Sequence, residues 1–165
     1  MDFKLSKEQE MLRQMFRDFC QNEVKPIAAE IDEEERFPWE TVRKMGELGM
    51  MGVYFPKEYG GGGADVLSYA MCVEELGKVC GTTSIIVSSH TSLCCAPIYE
   101  YGTEAQKRRY LPDLLSGRKV GAFGLTEPSA GTDASAQETT AVLDGDNYIL
   151  NGSKIFITNG GAAET

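Results

Sequence analysis

Histidine is almost missing from this sequence: His90 is the single one among 165 residues. A zinc or other imidazole-rich metal centre needs several converging ligands, so no metal site is expected. Positive charge is also scarce, with 16 Lys and Arg against 25 Asp and Glu, a net charge of -9 and a pI near 4.7. That balance argues against nucleic acid or an anionic lipid surface as a partner. Lys107-Arg108-Arg109 amounts to no more than a short basic helix face. No apolar stretch approaches the roughly 20 residues of a membrane span. The start, Met-Asp-Phe-Lys, holds no apolar leader-like run. The five cysteines, Cys20, Cys72, Cys80, Cys94 and Cys95, are odd in number and show no C-x-x-C spacing. They read as small buried hydrophobes in a reduced, cytosolic setting rather than as a disulfide framework.

What is present is enough apolar content, 42%, for one ordinary core with a small appendage. Residues 1–117 read as helical. Ser6 and Gln9 form a capping box, followed by Leu12, Met15, Phe16 and Phe19 at helical spacing. Pro26 kinks or ends that helix. A second helix is expected from Pro38, with Val42, Met45 and Leu48 as its apolar stripe and Gly49 as its stop. Gly60-Gly61-Gly62-Gly63 reads as a flexible turn; it lacks the strand and helix that flank a nucleotide-binding glycine fingerprint. A third helix is expected from Asp65 to Cys80 and a fourth from Thr82 to a stop before Pro97. Thr103 and Gln106 make another capping box, and Gly117 is a natural helix end.

After Gly117 the periodicity changes. Val120–Leu125, Gln137–Leu143, Tyr148–Leu150 and Lys154–Thr158 are strand candidates. Asp144-Gly145 and Asn151-Gly152 are turn signals, the second a strong hairpin dipeptide, and Asn159-Gly160-Gly161 turns again. The fold class is therefore α+β: an all-helical domain over 1–117, then the start of an antiparallel β domain over 118–165. A few strands without closing partners do not make a stable sheet, so the β domain reads as incomplete at Thr165.

Chemistry is concentrated in Gly121-Ala122-Phe123-Gly124-Leu125-Thr126-Glu127-Pro128-Ser129-Ala130-Gly131-Thr132-Asp133. It is a strand-like run leading into a loop of small and hydroxyl residues. Such a loop can present main-chain amides and hydroxyls to a heterocycle edge or a phosphate. On composition alone it reads first as an ordinary Asp/Pro/Gly/Ser turn. Helix four carries Ser88, Ser89, His90, Thr91 and Ser92, small residues that either pack tightly or leave room for a ligand. The acidic run Asp32-Glu33-Glu34-Glu35 reads as a solvated face, and His90 as a satisfied or partly exposed histidine rather than a base.

Two segments carry a family resemblance. Gly124-Leu125-Thr126-Glu127, two residues, then Ala130-Gly131-Thr132-Asp133 resembles the first signature of the acyl-CoA dehydrogenases. Asn151-Gly152-Ser153-Lys154-Ile155-Phe156-Ile157-Thr158-Asn159 is similar to their N-G-x-K-x-[W/F]-I-T-N segment, at the expected distance. Glu74-Glu75-Leu76 and Tyr101-Gly102-Thr103-Glu104 also resemble the family, nearest to its bacterial short-chain, butyryl-CoA type. The resemblance covers all 165 residues yet less than half of a family member. It implies FAD-dependent oxidation of a short acyl-CoA to the trans-2-enoyl-CoA. Electrons would pass to an electron-transfer flavoprotein, and the complete protein would be a homo-oligomer, a tetramer. It implies cofactor contacts by Phe123, Gly124, Leu125, Thr126, Glu127, Pro128, Ser129, Ala130, Gly131 and Thr132. Phe156, Ile157 and Thr158 would cover the ring face opposite the substrate, with the Thr158 hydroxyl near the flavin N5. Thr132 would also touch the pantetheine arm of the substrate, and Val87 and Ser89 would border the acyl chain. The catalytic base of the family, a glutamate of a C-terminal helical domain, has no counterpart here. The alternative is a non-catalytic helical module that binds a partner or an acyl-CoA.

Overall fold

The computed structural model describes residues 4–165; the reading of the extreme N-terminus falls partly on residues 1–3, outside the described residues. Helix α1 spans Lys7–Phe19 and starts in the expected capping box, with Ser6 Oγ accepting from the Gln9 amide and Gln9 Oε1 from the Ser6 amide. A wide π turn (Cys20–Val24) and a 3-10 turn (Lys25–Ile27) carry the chain past Pro26 into α2 (Ala28–Glu33). Proline thus bends the helical run without ending it. Helix α3 spans Trp39–Glu47 behind Pro38, and Gly49 stops it in the left-handed region at φ +72°. Val42 and Met45 are fully buried, whereas Leu48 is 48% exposed: it already lies in the helix-ending turn and is rotated off the stripe.

The glycine run is not a free turn. The Gly62 amide donates to Gly52 O at 2.9 Å, Gly63 to Phe55 O at 2.9 Å and Ala64 to Val53 O at 3.0 Å. Glycine at 61 and 62 lets this backbone lie directly on Val53 and Phe55, where a Cβ would collide.

Helix α4 spans Val66–Gly77 with Asp65 as N-cap, and α5 spans Gly81–Ser88 with Cys80 as N-cap. The helix expected to stop before Pro97 does not. A second π turn, Ser89–Cys95, is followed by α6 (Ala96–Tyr101), and Pro97 occupies its first turn. First-turn amides have no intrahelical acceptor, so proline costs little there. Helix α7, Glu104–Leu115, begins in the Thr103/Gln106 box and ends at Gly117, φ +70°. No helix among the described residues is long and apolar enough to cross a membrane.

Two apolar clusters hold the helices together. Phe16, Val24, Val42, Met45, Leu76 and Val87 belong to the first. Phe55, Cys95, Leu111, Leu114 and Leu115 form the second, with Tyr54 and Tyr99 packed against it. Full burial of side chains of this size stabilises by roughly 1.5–3 kcal/mol each before entropy is counted. All five cysteines are free and buried.

Beyond the helices only one hairpin is regular among the described residues. Strands β1 (Thr140–Asp144) and β2 (Asn147–Asn151) pair antiparallel from Thr140 opposite Asn151 to Asp144 opposite Asn147. The turn is Gly145-Asp146, with Gly145 at φ +60°. Every residue of both strands is exposed. Val120–Leu125 is extended but joins no ladder; it is held by Ala122 N–H to Thr165 O and Glu164 N–H to Val120 O, both 2.9 Å. Asn151-Gly152 makes no hairpin and Lys154–Thr158 no strand. Instead Ile155 donates to Thr126 O, and Phe156 turns the chain at φ +56°. A hairpin dipeptide works only when the following run returns onto its neighbour, and here that run is captured by residues 125–127.

Helices α1 and α4 are joined by a charge cluster on Glu75, which is only 3% exposed. Arg13 approaches it at 2.9 Å, Arg17 at 3.2 Å and Lys78 at 3.0 Å. The hydrogen bond from Arg17 is the main reason the Glu75 carboxyl is pulled down to about 2. A folded pKa below the unfolded value adds stability that is complete above the unfolded pKa and lost as pH falls through the folded one. Glu75→Gln should cost roughly 1.5–3 kcal/mol at pH 7, the usual worth of a hydrogen bond to a charged group. It should also flatten the loss of stability between the ordinary carboxylate range and about pH 2. Chemical denaturation across that range measures both effects; an unchanged acid limb would refute the assignment.

Candidate functional site

The segment after α7 is fixed before it reaches the surface. Gly121 is buried, and a Cβ there would run into the Cys94 side chain, so only glycine lets the backbone pass. Its amide donates to Nδ1 of His90 at 2.9 Å, and its carbonyl accepts from Asn159 Nδ2 at 3.1 Å. From there the chain emerges: Phe123 and Leu125 are each 40% exposed, and Thr126 is half-buried.

The second segment lies beside the first. Ile155 N–H donates to Thr126 O at 2.9 Å, and Lys154 Nζ donates to Leu125 O at 3.0 Å and Glu127 Oε1 at 2.7 Å. Phe156 is 90% exposed, Ile157 is half-buried, and Thr158 lines a cleft of about 400 Å3 with Ile31, Pro38, Ile85 and Ile86. The structure therefore brings together two stretches some thirty residues apart, 123–126 and 156–158.

Their hydrogen-bonding groups are unevenly used. The carbonyls of Leu125 and Thr126 accept bonds from Gln137, Lys154 and Ile155. Among the described residues, the amides of Phe123, Gly124, Leu125, Thr126, Phe156, Ile157 and Thr158 donate to no protein acceptor. The result is a half-exposed apolar strip edged with free donors, an arrangement that suits a flat heterocycle carrying acceptors on one edge.

Glu127 has a different environment from its neighbours. It is 3% exposed, and its carboxylate accepts from Lys154 and from the amides of Glu138 (2.6 Å) and Thr139 (3.2 Å). The Lys154 ammonium, then the contacts to Thr139 and Glu138, hold its carboxyl down at about 2. Its oxygens are occupied in tying the loop to Lys154 and to the start of the hairpin. Ala130 is buried in a reciprocal backbone pair with Glu127, at 3.0 and 3.1 Å. Pro128, Ser129, Gly131 and Thr132 are exposed, and a Cβ on Gly131 would meet nothing within 4 Å. Val87 (0% exposed) and Ser89 (4%) are buried in the helical interior.

Three contributors are given no role by the sequence: His90 and Asn159, which hold Gly121, and Lys154, which joins the two segments. His90 left a trace as the single histidine on a helix rich in hydroxyls. Lys154 and Asn159 are visible only as parts of a signature.

Residues 6–118 match the acyl-CoA dehydrogenase N-terminal domain, and residues 122–165 match the acyl-CoA dehydrogenase middle domain. The chain belongs to the acyl-CoA dehydrogenase family. It is 67% identical over its whole length to a short-chain-specific acyl-CoA dehydrogenase of Clostridium acetobutylicum, covering 44% of that protein. It superposes on butyryl-CoA dehydrogenase of Megasphaera elsdenii with a TM-score of 0.94 and 48% identity, over 99% of this chain and 44% of the other. A chain in the structure of an electron transferring flavoprotein of Acidaminococcus fermentans gives a TM-score of 0.96 and 56% identity, over 99% and 43% of the two chains. This acyl-CoA dehydrogenase chain thus spans less than half the length of the relatives it matches. Acyl-CoA dehydrogenases are FAD flavoproteins.

The Lys154–Glu127 pair makes the join between the two segments testable. Lys154→Met should speed hydrogen exchange at the Ile155 amide by roughly tenfold, the equivalent of one typical bond. It should also move the Glu127 titration from about 2 toward the ordinary carboxylate range. NMR of the carboxyl carbon and of the amide checks both, and an unmoved Glu127 midpoint would show that Lys154 is not its partner.

Proposed function

We propose that this chain is the FAD-holding N-terminal part of a short-chain acyl-CoA dehydrogenase, with a helical unit over 1–117 and the start of the β domain over 118–165. The observation that carries this reading is the pair of adjacent segments whose amides lack protein partners. FAD fits that donor set: its pyrimidine edge offers oxygen and nitrogen acceptors, and its ring is flat and largely apolar. The amides of Phe123 to Thr126 and the Thr126 hydroxyl would bind the ring edge. Phe156 and Ile157 would cover one ring face, with Thr158 orienting the ring through its hydroxyl. Gly131 and Thr132, exposed and uncrowded, would admit the pyrophosphate and the pantetheine arm.

When bound, FAD supplies the hydride acceptor for oxidation of an acyl-CoA to its trans-2-enoyl-CoA. The chain's own contribution is fixed amide and hydroxyl dipoles where the reduced ring gains negative charge, which need no reorganisation at the moment of transfer. Val87 and Ser89 would bound the acyl end from inside the helical unit. Glu127 would not serve as the proton acceptor, because Lys154 and the Glu138 and Thr139 amides hold its buried carboxylate in the charged form; that role would fall to a residue outside these 165. Electrons would leave to an electron-transfer flavoprotein from a homotetramer in the cytoplasm.

The test uses the protein completed to the length of its relatives. Thr158→Ala should leave the circular dichroism unchanged and weaken FAD binding roughly two- to tenfold, the loss of one hydrogen bond. Gly131→Val should do more, because a branched side chain would occupy the approach to the cofactor while meeting nothing in the chain itself. Full FAD content and normal reduction by butyryl-CoA in both variants would overturn the reading.

A further inference from the structure

We propose that His90 is a positioning residue that, with Asn159, clamps the Gly121 peptide and so sets the spacing between the two cofactor-facing segments. The inference rests on the flavin reading for its purpose, but the clamp itself is a matter of geometry.

His90 is fully buried on the π turn Ser89–Cys95, where the widened helix is well placed to turn a side chain toward a function. An amide can only donate, so the 2.9 Å contact from Gly121 makes Nδ1 an acceptor. The ring proton is therefore on Nε2, which lies 3.2 Å from Leu114 O near the end of α7 and 3.4 Å from Cys95 Sγ. Burial pushes the imidazole down to about 4, so it is neutral and held in one tautomer at ordinary pH. One ring joins the π turn, the end of α7 and the root of the first segment.

The other side of the same peptide is held from the second segment. Asn159, next to Thr158, donates through Nδ2 to Gly121 O at 3.1 Å and to Ile86 O of α5 at 3.2 Å. Asn159 is in the left-handed region at φ +67°, a conformation asparagine tolerates better than most residues. Gly121 is two residues before Phe123, and Asn159 is one residue after Thr158. A shift at either contact therefore moves one segment relative to the other.

Side-chain isosteres separate positioning from mere packing. Asn places a carboxamide oxygen near the position of Nδ1 and keeps the acceptor for Gly121. Gln places its amide near Nε2 and keeps the donor to Leu114 but not that acceptor. The protein completed to its relatives' length is measured for FAD affinity, flavin absorption spectrum, apo-state hydrogen exchange at residues 121–126, and melting temperature. His90→Asn should keep slow exchange at Gly121 and FAD affinity within about threefold of the unsubstituted protein. His90→Gln should lose the protection and bind FAD about tenfold more weakly, as expected for one lost bond, whatever its melting temperature. Asn159→Ser frees the Gly121 carbonyl but leaves the His90 acceptor for its amide, so it should weaken FAD binding about tenfold with Gly121 still protected and exchange in α1 unaltered. Equal behaviour of Asn and Gln, or the reverse order, would overturn the proposal. If the histidine variants fail to fold, Asn159→Ser decides through FAD affinity, and an unchanged affinity in that folded variant would overturn the proposal. A protein that binds no FAD but shows the Asn-above-Gln order in exchange would refute the flavin reading and keep the clamp.

Discussion

The Gly121 peptide is gripped on both sides, by His90 through its amide and by Asn159 through its carbonyl. That pair of hydrogen bonds ties the helical interior to both candidate cofactor segments at once. Each bond is buried, so losing one leaves an unsatisfied group and costs more than the same bond would at the surface. The constraint also explains a composition detail: position 121 must be glycine because Cys94 leaves no room for a Cβ. Residues 123–132, just downstream, are irregular backbone held at the root and along one side, and free along the other.

The helical part provides a rigid base for this arrangement. The first apolar cluster joins α1, α4 and α5, the Glu75 charge cluster ties α1 to α4, and the second apolar cluster packs the π turn at Ser89–Cys95, which carries the buried His90, against α7. The β part looks different. Val142, Leu143, Tyr148, Ile149 and Leu150 are all exposed on the hairpin, a large apolar area for so few residues. This accords with a chain that spans less than half the length of its relatives. Strands of this kind gain their stability from neighbours in a larger sheet.

The helices were legible wherever the signal was local. Ser6 with Gln9 and Thr103 with Gln106 cap as their spacing says, and Gly49 and Gly117 stop their helices at positive φ. Local signals failed where a distant partner decided the outcome. Pro97 does not end a helix, because the π turn places it in a fresh first turn. Asn151-Gly152 does not fold a hairpin, because Lys154 and Ile155 bond to residues 125–127 instead. The glycine run looked flexible because its pairing with residues 52–55 is a tertiary contact. At the candidate site, the two signatures single out two segments but not what holds them side by side. A lone histidine and an asparagine in a turn carry no pattern that points at one glycine, nor does a lysine in a motif point at Leu125 and Glu127.

The central claim is that the two segments, aligned through Gly121, form one face of the FAD site with their free amides. Hydrogen exchange with and without FAD, on the protein completed to its relatives' length, tests it directly. The account predicts that FAD slows exchange at Phe123–Thr126 and at Phe156–Thr158 together, and leaves α1 unchanged. Protection of only one stretch, or of neither while FAD is demonstrably bound, would contradict it.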